Sequence, residues 1–105
     1  MIEYIDPDSP EAILAKLNSE TSKIAWTELM PFFARGMAIY VSHELDLLKV
    51  AYELSQDNKQ QFQEWMSEDL IANVSDEQAS AWYETNVTVW SVVVKPWILV
   101  QPIVG

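Results

Sequence analysis

The sequence predicts a single α+β domain of about five helices and a small, mainly antiparallel or mixed sheet of about three strands. Three observations carry this. The chain has 105 residues, the length of one domain. Half of its residues are apolar, five tryptophans among them, which is core material that a disordered chain lacks. Some segments place apolar residues at helical spacing, whereas others are short, continuous, β-prone runs.

Residues 1–8 read as an extended arm, which leaves 9–105 as the domain. Ser9-Pro10-Glu11 starts a helix: serine caps, proline is tolerated in the first turn, and an acid suits the positive helix end. Ile13, Leu14 and Leu17 share its apolar face, and Asn18 to Lys23 is a polar break. Thr27 opens a second short helix with Pro31 near its first turn, and Gly36 stops it. Met37 to Val41 predicts a strand. Leu45 to Ser55 is the clearest helix. It carries two apolar stripes, Leu45, Leu48 and Tyr52, then Leu47, Val50, Ala51 and Leu54, so it is covered from two sides, by its own domain or by a second copy.

Asp57-Asn-Lys-Gln60 and Ser75-Asp-Glu-Gln78 are capping-box patterns, in which the first and fourth residues satisfy each other's free amides. The first helix places Phe62, Trp65 and Met66 on one face. The second places Ala79, Trp82 and Tyr83 on one face. Leu70 to Val74 predicts a strand between them. Val87 to Val94 is apolar in both alternating sets, as in a strand buried on both faces, and is expected at the centre of the sheet. Lys95-Pro96 interrupts it. The tight turns of two-residue hairpins want positive φ, so Trp97 to Val100 is expected as a bent continuation at an edge. Trp26, Phe32, Phe33, Ile39, Val41, Leu48, Leu54, Phe62, Trp65, Trp82, Trp90 and Val92 are the expected core.

Several landmarks stand in a familiar order: Trp26 through Phe33-Ala-Arg-Gly36, Ile39-Tyr-Val41, Glu44-Leu-Asp-Leu47, Val74-Ser-Asp-Glu-Gln78, Trp82, and Val92-Val-Val-Lys-Pro-Trp97 with Val100-Gln101. Over residues 12–101 the chain resembles a family of short bacterial proteins, domain of unknown function 2288. It departs from that pattern at Met30, where an acid is expected, and in the loop Ser67-Glu-Asp-Leu70, where a glycine is expected. The resemblance implies no activity, cofactor or catalytic residue.

Sixteen acids against six bases give a formal charge of −10. The bases are scattered, so the clustered cations that hold nucleic acid or an anionic membrane are missing. With no cysteine, disulfides, thiolate catalysis and Cys-ligated metals are excluded. The acidic start has no apolar signal-peptide core, and no apolar stretch is long enough to span a bilayer, so the cytoplasm is the expected location. Only two glycines are present, too few for a phosphate loop or a dinucleotide fingerprint. There is one histidine and no nucleophile elbow, so no triad and no catalytic residue is assigned.

The best candidate site is His43-Glu44-x-Asp46, after a strand and at a helix start, where an acid/base group can meet a ligand. The plain alternative is helix capping by Glu44 and Asp46. Asp6-x-Asp8-x-x-Glu11 lacks the glycine and the spaced glutamate of a calcium loop. Glu68-Asp69 and Asp76-Glu77 could converge on a hard cation, or simply serve helix ends and solubility. No metal site and no cofactor is expected. Trp26 and Trp97, beside turns, are the tryptophans expected to be partly exposed.

Three functions follow from this reading. The first is a non-enzymatic interaction module whose partner is itself, as a homo-oligomer, or another protein. The second is a small-molecule binder or enzyme with His43, Glu44, Asp46, Lys95 and Trp97 around one site. The third is an acidic decoy for a basic protein surface, which requires the acids to gather on one face.

Overall fold

In the computed structural model of the chain, which describes residues 9–103, the first helix begins at its expected cap. Ser9 Oγ accepts from the Ala12 amide at 3.2 Å, Pro10 occupies the first turn, and α1 runs Pro10–Glu20. The arm expected over residues 1–8, with Asp6 and Asp8, lies outside the described residues. Strand β1 (Ser22–Ala25) follows, then one 3₁₀ turn (Trp26–Leu29) and α2 (Met30–Ala34). Gly36 closes that helix with φ of 72°, a left-handed angle that a Cβ would strain.

The chain continues through β2 (Ala38–Val41), α3 (Leu47–Ser55), α4 (Lys59–Ser67), β3 (Ile71–Asn73), α5 (Asp76–Thr85), β4 (Thr88–Val94) and β5 (Trp97–Pro102). Among the described residues there are thus five α-helices and five strands. The capping box of α5 forms as expected: Ser75 Oγ accepts from the Gln78 amide at 3.0 Å, and Gln78 Oε1 accepts from the Ser75 amide at 3.1 Å. The one expected at Asp57 is displaced by a residue. Asn58 caps α4, its Oδ1 accepting from the Gln61 amide at 3.2 Å, while Asp57 takes a left-handed φ of 56° in the turn after α3.

The strands form one mixed sheet in the order β1-β4-β5-β2-β3. Among the described residues, the β2–β5 pair is parallel and the other pairs are antiparallel. The sequence expectation of about three strands falls short by β1 and β5. β1 lies where a polar break was read, because its first two residues, Ser22 and Lys23, face water and only Ile24 and Ala25 turn inward.

β5 is the larger correction. It is not an edge continuation of β4 but its antiparallel partner, and it takes the centre of the sheet, with Ile98, Leu99 and Val100 buried. Lys95 and Pro96 make the two-residue turn, joined by a cis peptide, and Val94 pairs directly with Trp97. Primed turns are therefore not the only short hairpin connection; a cis proline at the third turn position is another.

Helices cover both faces of the sheet. On one face, Leu17 of α1, Leu47, Val50 and Ala51 of α3, and Trp65 of α4 bury Ile39, Val41, Ile71, Val92 and Leu99. On the other, Trp26, Leu29 and Ala79 bury Ala38, Val74, Val89, Ile98 and Val100. This is why both alternating sets of β4 are apolar. Its ends are less covered than expected, since Thr88 and Val93 are exposed. α1 and α4 both pack against α3, and Leu48, Tyr52 and Leu54 are half-buried in the same cluster. The second apolar stripe of this helix is met within the chain and does not itself require a second copy.

Candidate functional site

The residues expected to form one site occupy two ends of the sheet. His43 and Glu44 are exposed in the turn after β2. Asp46 caps α3, its Oδ1 accepting from the Leu48 amide at 3.0 Å. Ser42 Oγ accepts from the Glu44 amide at 3.2 Å. The turn is tied down from β5, where Gln101 Nε2 donates to the carbonyls of Ser42 at 2.8 Å and Leu45 at 2.7 Å.

Lys95 and Trp97 lie at the β4–β5 turn. β2 and β5 run parallel, with Ala38 beside Ile98 and Tyr40 beside Val100. Trp97 therefore sits at the starting end of β2, and His43 to Asp46 lie beyond its finishing end, a strand length of roughly 13 Å away. Lys95 and Trp97 flank Pro96 but line different clefts, and His43, Glu44 and Asp46 share one loop at the other end of the strand. A single pocket built from all five is not formed.

The acids do not gather either. Glu68 and Asp69 precede β3, and Asp76 and Glu77 follow it, so the strand holds the two pairs apart. Among the described residues no group of three or more metal-ligating side chains is placed to hold an ion. Acids stand on helices of both faces, Glu11, Glu53 and Glu64 on one, Glu28, Asp76 and Glu84 on the other.

The tryptophans divide by environment. Trp26, expected partly exposed, is fully buried: its Nε1 donates to the Ala79 carbonyl at 3.1 Å, and its ring meets Phe33 and Trp82 edge-on at 5.9 and 5.1 Å. Trp90 is half-buried with the Lys23 ammonium 5.0 Å from its ring. Trp97 is half-buried and opens onto a cleft of about 320 Å³ beside the C-terminal end of α3.

That cleft has a mixed lining. Ile39, Leu54, Phe62, Met66 and Trp97 form its apolar part, and Asp57, Asn58, Lys59, Gln63 and Asn73 its polar part. Met66 is half exposed although it shares a helix face with the buried Trp65. Its neighbour in space, β3, is an edge strand that, among the described residues, pairs only with β2. The Ser42 amide donates to the Leu70 carbonyl at 2.8 Å and the Val74 amide to the Ala38 carbonyl at 3.1 Å. By the alternation of an antiparallel ladder, Ala72, Val74 and the Leu70 carbonyl turn toward β2, and the backbone groups of Ile71 and Asn73 turn away. Sequence reading found Trp97 through its place beside a turn. It does not reveal β3 as an edge strand, since nothing in Ile71-Ala-Asn73 marks a strand as the outermost.

These features define a class: a small domain of two helical layers on a mixed five-stranded sheet, with clefts beside the β4–β5 turn. Over residues 12–102 the chain matches the family described as "Protein of unknown function (DUF2288)", and it belongs to that family. It is similar to the solution NMR structure of PA1075 from Pseudomonas aeruginosa, at 35% identity and a TM-score of 0.79, over 98% of this chain and 94% of that one. No curated protein matches the chain. No helix among the described residues is long and apolar enough to cross a membrane.

Proposed function

We propose that the chain is a non-enzymatic interaction module whose partner is a second copy of itself. The observation that carries this is the unpaired edge of β3 lying beside the Trp97–Phe62–Met66 cleft. An open strand edge offers backbone donors and acceptors to another strand, and proteins usually guard such edges with charge, proline or a covering element. β1, the opposite edge, carries Lys23. β3 carries Ile71, Ala72 and Asn73, with no charge and no proline.

Antiparallel pairing of β3 with its copy about a twofold axis uses the same surface twice and closes, giving a dimer and not a fibre. The outward groups of Ile71 and Asn73 supply the hydrogen bonds. The two clefts, each beside its own β3, supply apolar surface that becomes shielded. A cytoplasmic location belongs to this reading, as a cysteine-free chain needs no oxidising compartment.

Light scattering at about 100 µM, a concentration that populates even weak dimers, should give twice the monomer mass of 12.1 kDa. Met66→Glu places a charge at the cleft while leaving the core intact, and should return the mass to that of one chain. A wild-type monomer at this concentration, or a dimer indifferent to Met66→Glu and to a charge at Asn73 (Asn73→Asp), overturns the proposal.

A further inference from the structure

A second cleft lies on the other flank of α3, between α1 and the β4–β5 turn, with a volume of about 700 Å³. Its apolar lining includes Ile13 and Leu17 of α1 and Val94 of β4. Lys16 of the helix and Lys95 of the turn both line it, as does Glu20. Both lysines are exposed, whereas Leu17 is buried and Ile13 and Val94 are half-buried. Neither the family assignment nor the dimer proposal uses this cleft.

The charge balance is unusual for this molecule. Across the chain, acids outnumber bases sixteen to six, yet the residues lining this opening include two lysines and one glutamate. By charge alone, the two lysines favour an anion at this opening in an otherwise acidic chain. The lining below the ammoniums is hydrocarbon, and lysine stems extend it, since their methylene chains lie along apolar surface while the charge stays in water. The volume falls within the range of about 300–1,000 Å³ usual for small-molecule sites.

We infer that this cleft binds a single-chain anionic amphiphile, such as a medium-chain fatty carboxylate. The carboxylate sits between the Lys16 and Lys95 ammoniums, and the alkyl chain lies over Ile13, Leu17 and Val94. Glu20 opposes the headgroup and limits the affinity. The inference is independent of the dimer, because it uses α1 and the turn and not β3.

The test is a titration of isotope-labelled protein with monomeric dodecanoate, followed by amide chemical shifts. Saturable shifts at Ile13, Lys16, Leu17 and Lys95 are expected. The double variant Lys16→Glu/Lys95→Glu should weaken binding about tenfold, and Glu20→Gln should strengthen it about threefold, as for partly exposed ion pairs. Dodecyltrimethylammonium, with the same chain and the opposite charge, should bind more weakly than dodecanoate. Met66→Glu should bind dodecanoate as the parent does, which separates this site from the dimer surface. The inference fails if dodecanoate does not saturate, if the shifts fall on Phe62, Met66 and Trp97 instead, if the cation binds as well as the anion, or if only vesicles of phosphatidylglycerol bind and the monomeric carboxylate does not.

Discussion

Val94 and Trp97 face each other across the first rung of the β4–β5 hairpin, and each lines a different cleft. Directly opposed residues in an antiparallel pair point to the same side of the sheet. Here that side carries α3, whose C-terminal end separates the two openings: Ser55 lines one and Leu54 the other. One turn, Lys95-Pro96, therefore positions both surfaces on which the functional readings rest.

The Gln101 side chain holds the turn after β2. Gln101→Ala removes the donor shared by the Ser42 and Leu45 carbonyls, and Ser42 is buried. The expected cost is about 1–3 kcal/mol for acceptors left without their partner. Urea unfolding should show it as a lower midpoint, and residues 43–46 should exchange their amide protons faster than in the parent.

Trp26 fills the core of the second face and makes one buried hydrogen bond. Trp26→Phe keeps an aromatic ring but leaves a void and an unpaired Ala79 carbonyl. The combined loss should be about 3 kcal/mol, read from the same unfolding curves. A loss below about 1 kcal/mol would mean that neither the void nor the carbonyl matters.

Gly36 separates conformation from packing. A Cβ there meets nothing within 4 Å, so any cost of Gly36→Ala comes from the φ of 72°. About 1 kcal/mol is expected, and Gly36→Asn should lose less, because asparagine tolerates the left-handed region. Thermal or urea unfolding of the two variants distinguishes these outcomes.

Salt should strengthen self-association. Each copy carries a formal charge of −10, and β3 is flanked by Glu68 and Asp69 before it and Asp76 and Glu77 after it. Antiparallel pairing brings the acids that precede one strand near those that follow the other. Screening weakens that repulsion at ionic strengths where the Debye length falls to about 8 Å. Sedimentation between low and physiological salt should show the dimer fraction rising. A contact made by an acidic surface with a basic partner has the opposite salt dependence.

Much of this fold is readable in the residues. Ser9, Gly36 and the Ser75–Gln78 box mark helix ends by local chemistry, which does not depend on distant partners. The doubly apolar β4 announces a sheet covered on both faces. β1 is hidden because a short strand, half wetted, differs little from a loop; its pairing with β4 supplies what its own residues do not. β5 is misplaced by reasoning that considers one kind of hairpin turn. Strand order was beyond reach, since it depends on which edges meet in three dimensions.

The site divides in the same way. Trp97 can be singled out by its position beside a turn, and it does line a cleft. His43, Glu44 and Asp46 attract attention as a motif, but Asp46 caps a helix and the group is far from Lys95. Leu54, Phe62 and Met66 look like three core residues of two helices. The cleft between them is formed by residues from α3, α4, β2, β3 and β5, and no local pattern reports that.

The most direct measurement is hydrogen exchange at the Ile71 and Asn73 amides as a function of protein concentration. These groups face away from β2, so in a monomer they have no strand partner, and in the dimer they donate across the twofold axis. The account predicts that their exchange slows as concentration rises, while that of Ala72, already facing β2, changes little. Fast exchange at Ile71 and Asn73 at every concentration would contradict it.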